Sequence, residues 1–215
     1  PLAVMVVENE GAQPIVTPVH GWDDSLFLRG KAPMTKQEVR ALAISKLRPE
    51  ADHIVYDIGA GTGSCSVELA FQVPYGKVYG FEINEEAASL AEANKERFNA
   101  RNLEIIRGNA LEKIVNTPCP DRVFIGGTKG NLKEILDILY KKNAYCRIVI
   151  TAITLETAGA VTAYYKEHKD YELETTQLFA SEGRRVGPYT LMEGHNPVYV
   201  MTAYRKEAEY EGQSQ

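Results

Sequence analysis

The sequence predicts an α/β fold in which helices cover both faces of a mostly parallel β-sheet. Short segments rich in β-branched and aromatic residues alternate with helical segments between residues 53 and 168, as in a parallel sheet with helical crossovers. Two more β-rich segments follow, at 171–180 and 197–204. A glycine-rich turn, at 59–63, comes directly after the first strand of this alternating region.

Periodicity and helix-starting residues place the individual elements. Thr35 and Glu38 have the spacing of a capping box, so a helix is expected to begin at Thr35 and to end before Pro49. The other helices are expected at Thr62–Phe71, Glu85–Asn99, Leu132–Lys142 and Glu156–His168. The strands are expected at His53–Ile58, Lys77–Ile83, Leu103–Arg107, Asp121–Ile125, Cys146–Ala152, Tyr171–Ala180 and Pro197–Tyr204, with a loop over Ser181–Asn196. The loops after the parallel strands then share one sheet edge, where such sheets bind ligands.

The composition fits one globular domain. The 215 residues are 44% hydrophobic and 25% charged, which excludes a disordered or fibrous chain. The net charge of −5 argues against a broad nucleic-acid-binding face, and no apolar run has the length of a membrane span. We therefore expect a domain over 21–204, with neither nucleic acid nor membrane as partner. A linker or the tail of a preceding domain is expected over 1–20, including a short strand at 2–7, and a polar tail over 205–215.

The cysteines and histidines do not predict a metal site. Cys65, Cys119 and Cys146 are widely spaced, no C-x-x-C pair occurs, and the four histidines are scattered. This pattern fits neither a disulfide framework nor a zinc site. Because it is typical of a reducing compartment, we expect a cytoplasmic protein without a bound metal.

The sharpest local signal is the segment V-Y-D-I-G-A-G-T-G-S at 55–64, which runs from a strand through three glycines into a helix. Gly59, Gly61 and Gly63 allow a tight turn and a close approach of the backbone to a ligand. A dinucleotide site would require glycine in place of Ser64, and no Lys-Ser/Thr pair follows as in a phosphate-binding loop. The alternatives are a loop that binds a different nucleoside cofactor and a turn that only permits close packing.

Two further strand ends offer polar groups to the same edge of the sheet. Glu82 ends the second strand, and a carboxylate there suits the two vicinal hydroxyls of a ribose. Asn109 follows the third strand, where its amide oxygen would either accept from an adenine amino group or cap a helix. The backbone N–H of Ala110 would serve the adenine ring in both cases. Three successive strand ends therefore predict a nucleoside site.

Six segments together resemble a known family. They lie at 21–30 (G-W-D-D-S-L-F-L-R-G), 33–40 (P-M-T-K-Q-E-V-R), 57–64, 120–131 (P-D-R-V-F-I-G-G-T-K-G-N), 151–157 (T-A-I-T-L-E-T) and 195–200 (H-N-P-V-Y-V). The glycine loop resembles the first motif of class I S-adenosylmethionine-dependent methyltransferases. The whole set resembles the decarboxylating precorrin methyltransferases of cobalamin biosynthesis, which act on carbon 15.

The resemblance implies a Rossmann-like class I methyltransferase fold, with a seven-stranded, mostly parallel sheet and one late antiparallel strand. It implies methyl transfer from S-adenosylmethionine to carbon 15 of a precorrin-6B or cobalt-precorrin-6B type of tetrapyrrole, with decarboxylation of the ring C acetate. Asn109 departs from the acidic residue usual at its position, and Lys141–Arg147 departs from the usual turn before the fifth strand. The expected contacts to S-adenosylmethionine, or to its product S-adenosylhomocysteine, are Thr35, Gly59, Ala60, Gly61, Thr62, Gly63, Glu82, Asn109 and Ala110.

A tetrapyrrole with many carboxylates requires cationic partners, and its decarboxylation requires a proton donor. The candidate substrate-binding residues are Arg29, Lys31, Lys129, Arg184 and Arg185, with Gly126 and Gly127 leaving room for the flat macrocycle. The candidate proton donors are Glu156, Tyr189 and His195. Each has a plain structural alternative: a solvated surface charge, a packed tyrosine or a structural histidine.

Two other functions stay open from the sequence. A methyltransferase acting on RNA or protein would be expected to carry a basic stripe or an added binding module. A module that binds S-adenosylmethionine without turnover would show the same glycines and the same Glu82. The resemblance further implies a homo-oligomer, specifically a tetramer, and a fusion behind an upstream tetrapyrrole methyltransferase domain.

Overall fold

The computed structural model describes residues 20–206, so the strand expected at 2–7, most of the linker and most of the polar tail lie outside it. The helices are α1 (Gln37–Leu47), α2 (Ser64–Gln72), α3 (Glu85–Arg97), α4 (Ala110–Ile114), α5 (Leu132–Lys142) and α6 (Leu155–Glu167), preceded by a 3₁₀ turn at Asp24–Leu26. The strands are β1 (Ile54–Ile58), β2 (Lys77–Glu82), β3 (Leu103–Arg107), β4 (Arg122–Ile125), β5 (Arg147–Ala152), β6 (Tyr171–Leu178), β7 (Ser181–Val186), β8 (Tyr189–Gly194) and β9 (Val198–Arg205).

Seven strands form one sheet in the order β3-β2-β1-β4-β5-β9-β6. The five strands β1 to β5 pair in parallel, whereas β9 runs antiparallel to both β5 and β6. This confirms the seven-stranded, mostly parallel sheet with a late antiparallel strand. Because β1 lies between β2 and β4, the chain leaves β1 on one side and later returns on the other. That reversal opens a crevice at the carboxyl ends of these strands.

Helices cover both faces of the sheet, and each face has its own apolar core. The alternation along β1 shows this, since Val55 packs into the core under α1 and α2 while Tyr56 packs into the core under α5 and α6. Both side chains are fully buried. Within residues 20–206, no helix is both long and apolar enough to cross a membrane.

The prediction of a loop over Ser181–Asn196 is wrong, because this segment forms a β-hairpin. Strands β7 and β8 pair antiparallel from Ser181 opposite Gly194 to Val186 opposite Tyr189. Gly187 takes a positive φ of 60° in the turn between them. All residues of both strands are exposed, so neither face is buried and the sequence carries no apolar alternation to reveal them.

The prediction of a capping box at Thr35 is also wrong. Helix α1 begins at Gln37, and the residue at its N-cap is Lys36, whose side chain makes no capping hydrogen bond. The backbone carbonyl of Thr35 instead accepts a hydrogen bond from the buried guanidinium of Arg40, at 2.6 Å. Thr35 is therefore held in the extended segment before the helix. The 3₁₀ turn was not expected, and α4 was expected only as the alternative in which Asn109 caps a helix; the boundaries of the other expected elements agree within two residues.

Candidate functional site

A cavity of about 690 Å³ opens in the crevice where β1 lies between β2 and β4. Its floor comes from the carboxyl ends of β1 to β5 and from the start of β9, which reaches the same edge because it runs antiparallel. One wall comes from the extended segment before α1, residues 31–36. The strand ends singled out from the sequence therefore meet in one space.

The glycine loop after β1 touches the cavity with its first half. Gly59 and Gly61 have φ angles of 80° and 57°, which glycine tolerates better than other residues. A Cβ at Gly59 would lie 2.8 Å from the backbone of Gly127, and a Cβ at Gly61 would lie 2.6 Å from the carbonyl oxygen of Pro33. The two sequence interpretations, binding loop and packing turn, thus describe the same residues.

The second half of this loop does not line the cavity. Gly59, Ala60 and Gly61 line it, whereas Thr62 and Gly63 do not. Gly63 sits at the N-cap of α2, where a Cβ would lie 2.9 Å from the Cβ of Ala91. These two residues shape the loop and lie outside the cavity wall, in contrast to the cofactor contacts expected from the sequence.

Glu82 is fixed at the end of β2 by backbone donors. The side chain is 9% exposed and lines the cavity. Its Oε2 accepts from the N–H of Gly61 and its Oε1 accepts from the N–H of Asn84, each at 2.8 Å. Each carboxylate oxygen keeps a further lone pair, so Glu82 can accept from two neighbouring hydroxyls while the loop holds it in place.

Asn109 is a helix cap that also lines the cavity. Its side-chain oxygen accepts from the N–H of Leu111 at 3.1 Å, at the start of α4. The alternative that Asn109 caps a helix is therefore confirmed. The second lone pair of its amide oxygen can still accept a hydrogen bond from a ligand. Ala110 also lines the cavity, and its N–H is one of the first in the helix, outside the helical hydrogen-bond ladder.

A buried carboxyl group lies under the glycine loop. Asp57 in β1 is fully buried and accepts a hydrogen bond from the hydroxyl of Ser66, while its second oxygen has no partner among the described residues. Burial raises the pKa of Asp57 to about 7, and the neighbouring charge of Glu82 acts in the same direction. The Ser66 hydrogen bond acts in the opposite direction and is outweighed.

The candidate substrate-binding cations divide into two groups. Lys31 and Lys129 line the cavity. Arg29 forms an ion pair with Asp24 at 3.2 Å, and Arg184 forms one with Glu193 at 2.6 Å across the β7–β8 hairpin.

Neither Arg29 nor Arg184 lines the cavity, and the exposed Arg185 of the same hairpin does not line it either. The structure therefore does not bring these three arginines to the cavity, and their binding of substrate carboxylates stays a prediction.

The glycine pair after β4 leaves room at the cavity. Gly126 and Gly127 both line it, and the N–H of Gly126 donates to the carbonyl of Ile58 at 2.9 Å. A Cβ added at Gly127 would meet no atom within 4 Å. The space over Gly127 is therefore open to a flat ligand.

Of the three candidate proton donors, only His195 lines the cavity. Glu156 lies exposed in the first turn of α6, and Tyr189 on β8 is 71% exposed. The backbone N–H of His195 donates to the carbonyl of Ala180 at 2.9 Å, and its Nε2 lies 3.6 Å from Oε1 of Glu182. The structure thus places His195 at the cavity and the other two elsewhere.

His195 also belongs to a group that the sequence did not indicate. Atoms of Glu38, Glu182 and His195 that could bind a metal lie within 4.8 Å of one another. Both carboxylates are exposed. These residues are distant in the sequence, so only the fold brings them together, and the expectation of no bound metal stays a prediction.

Sequence reasoning missed the apolar part of the cavity. Ile83 and Ile153 follow the ends of β2 and β5, line the cavity and are 49% and 67% exposed. Pro33 and Met34 contribute from the wall before α1. A large apolar residue directly after a strand end is a signal that could have identified Ile83 and Ile153.

The chain matches known proteins over most of its length. A model of the precorrin methyltransferase domain family matches residues 26–205. A relative from Pyrobaculum calidifontis, named probable cobalt-precorrin-6B C(15)-methyltransferase (decarboxylating), is 41% identical over 195 residues, which cover 89% of this chain and 98% of that protein. A relative from Salmonella typhimurium, named cobalt-precorrin-6B C(15)-methyltransferase (decarboxylating), is 37% identical over 187 residues, covering 86% and 96%.

The fold is similar to that of a solved relative. A crystal structure of precorrin-6Y C5,15-methyltransferase from Geobacter metallireducens superimposes with a TM-score of 0.82 at 37% identity, covering 88% of this chain and 98% of that one. The seven-stranded, mostly parallel sheet with its late antiparallel strand agrees with the fold that the resemblance of the six sequence segments implied. This chain belongs to the precorrin methyltransferase family.

Proposed function

We propose that this protein transfers a methyl group from S-adenosylmethionine to carbon 15 of a precorrin-6B type of tetrapyrrole and removes carbon dioxide from the ring C acetate. The observation that carries the proposal is that one cavity joins the polar ends of β1, β2 and β3 to a region over β4 and β5 that has apolar and cationic lining residues. The relatives named for this decarboxylating methyl transfer, which match nearly their full length, support it.

The nucleoside of the cofactor would lie across the ends of β1, β2 and β3. The carboxylate of Glu82 would accept from the ribose hydroxyls, since two backbone N–H groups already hold it in place. Asn109 and Ala110 would face the adenine, and Ile83 offers an apolar surface beside it. When bound, S-adenosylmethionine supplies an electrophilic methyl group.

The tetrapyrrole would occupy the part of the cavity over the ends of β4 and β5. Gly127 leaves the space open for a flat ring system, and the exposed Ile153 offers it an apolar surface. Lys31 and Lys129 would bind acetate or propionate side chains at the rim. The protein then holds the nucleophilic carbon in line with the methyl group, at roughly 3–3.5 Å, and excludes water.

His195 is the proposed proton donor for the decarboxylation. When the carboxylate leaves as carbon dioxide, the electrons of the broken carbon–carbon bond stay on the remaining carbon, which must take up a proton. His195 is the candidate that lines the cavity, and its Nε2 lies 3.6 Å from Oε1 of Glu182. Among the groups considered, His195 is thus the one that could deliver a proton at the cavity.

Mass spectrometry of the corrinoid product tests the proposal. We expect one product that has gained a methyl group and lost carbon dioxide when the protein is supplied with S-adenosylmethionine and precorrin-6B, with or without cobalt. Binding of the cofactor without turnover would favour a non-catalytic binding module. Methylation of RNA or protein, with no change in the corrinoid, would favour the other alternative.

We further propose that the protein assembles with copies of itself through the β7–β8 hairpin. Val186, Tyr189, Leu191 and Met192 are apolar and between 42% and 71% exposed on this hairpin, and such a group of exposed apolar side chains is typical of an interaction surface. Sedimentation of the chain should therefore give a homo-oligomer, and a charged substitution at Met192 should reduce its mass. A tetramer, the cytoplasmic location and the fusion to an upstream methyltransferase domain stay predictions.

A further inference from the structure

One wall of the cavity is an extended segment that three buried polar side chains hold in place. We call residues 21–36, which precede α1, the strap. Apart from the 3₁₀ turn at Asp24–Leu26 it contains no regular structure, yet its last part lines the cavity. A segment without helix or sheet bonds needs other partners for its backbone. In the strap these partners are the side chains of α1, α2 and α3.

Arg40 and Glu68 hold the two ends of the strap. Both side chains are completely buried and form an ion pair between α1 and α2. Arg40 donates to the carbonyls of Trp22 and Thr35, and Glu68 accepts from the N–H groups of Gly21 and Trp22. The start of the strap and its junction with α1 are therefore fixed to the same ion pair.

Asn94 holds the middle of the strap and also holds the glycine loop. This residue of α3 is 0% exposed. Its side-chain oxygen accepts from the N–H of Leu28 at 2.7 Å, and its Nδ2 donates to the carbonyl of Leu28 at 3.1 Å. The second hydrogen on Nδ2 is donated to the carbonyl of Thr62 at 2.9 Å. One amide thus joins the two segments that flank the cavity, with all its hydrogen-bonding atoms used.

The strap and the glycine loop also touch directly. The carbonyl oxygen of Pro33 lies so close to Gly61 that a Cβ there would be 2.6 Å away. Gly61 of the glycine loop and Thr35 of the strap both line the cavity. A shift of the strap relative to the glycine loop would therefore change the shape of the cavity between them. Asn94 itself does not line the cavity.

We propose that Asn94 is a positioning residue, which sets the affinity for S-adenosylmethionine by tying the strap to the glycine loop. The inference rests on the cofactor site of the proposed function. It predicts that a change at a side chain outside the cavity alters ligand binding more than it alters folding. A merely structural asparagine would alter folding alone.

The test compares Asn94→Asp with Asn102→Asp. The first variant keeps the acceptor for Leu28 but places a carboxylate oxygen against the carbonyls of Leu28 and Thr62. Asn102 is the matched control, because its Nδ2 donates to the carbonyls of Ala70 and Val73, each at 2.8 Å, away from the cavity. Calorimetry measures the Kd for S-adenosylhomocysteine, and thermal unfolding measures Tm.

We expect Asn94→Asp to raise this Kd by about tenfold or more, and Asn102→Asp to change it by less than about twofold, with each variant measured well below its own Tm. Equal binding by both variants would overturn the inference. Hydrogen exchange on the unmodified protein gives a second test, since ligand binding should slow exchange in the strap and in residues 61–63 together. Slowing in the loop alone would overturn it as well. Methyl transfer by the unmodified protein reports separately on the proposed function.

Discussion

Replacing Glu82 by glutamine should weaken cofactor binding without unfolding the protein. The two side chains have nearly the same shape, but glutamine offers one acceptor oxygen where the carboxylate offers two. In the structure both oxygens of Glu82 accept from backbone N–H groups at 2.8 Å, so one of these bonds must be lost in the variant, where the amide nitrogen would face a backbone N–H that can only donate. The remaining oxygen cannot accept from both ribose hydroxyls in the same geometry.

The size of the effect follows from these contacts. A hydrogen bond to a charged group contributes about 1.5–3 kcal/mol, and a tenfold change in Kd corresponds to about 1.4 kcal/mol. Losing one such bond to the ribose should therefore raise the Kd for S-adenosylhomocysteine by about tenfold to a hundredfold. The lost backbone bond should also lower Tm, because Gly61 or Asn84 loses a charged partner.

Calorimetry with S-adenosylhomocysteine at neutral pH measures the effect. Glu104→Gln is a suitable control, since Glu104 lies on the adjacent strand β3, pairs with Lys77 at 2.7 Å and does not line the cavity. If Glu82→Gln bound the ligand as tightly as the unmodified protein, Glu82 would not hold the ribose. The assignment of the nucleoside to the ends of β1 and β2 would then be refuted.

Three further predictions concern other residues of the cavity and its floor. Because the pKa of Asp57 is raised from 3.8 to about 7, protein stability should fall as pH rises between these values, by about 4 kcal/mol at most, and stay level above them. Asp57→Asn should therefore raise Tm more at pH 8 than at pH 4, and parallel melting curves would contradict this. His195→Gln should slow carbon dioxide release by about a hundredfold while leaving the Kd for S-adenosylhomocysteine unchanged; unaltered release would exclude His195 as proton donor. Gly127→Ala should keep Tm, because the added Cβ meets no atom within 4 Å, but should raise KM for the tetrapyrrole; an unchanged KM would place the substrate elsewhere.

The sequence by itself determined the elements that depend on local rules. Leu103–Arg107 and Leu132–Lys142 agree with the expectation residue for residue, because apolar periodicity decides whether a short segment forms a strand or a helix. Local rules also indicated the strand–turn–helix at the glycine loop and the acidic end of β2. Because parallel strands all end at one edge, the order of these motifs along the chain is enough to predict that they meet.

Only the tertiary structure decided which candidate side chains reach the cavity. Arg184 was a reasonable anion-binding residue in the sequence, yet across the hairpin it pairs with Glu193. Thr35 had the spacing of a helix cap, yet Arg40 holds its carbonyl before the helix begins. Both outcomes depend on partners that the local pattern does not specify.

The same reason explains why the hairpin and the role of Asn94 were not expected. Strands β7 and β8 bury neither face, so they leave no periodic trace in the sequence. Asn94 joins Leu28 and Thr62, which are 66 and 32 residues away along the chain. A sequence pattern records neighbours within a few turns, whereas the cavity wall depends on hydrogen bonds between distant segments, which only the folded chain brings into reach.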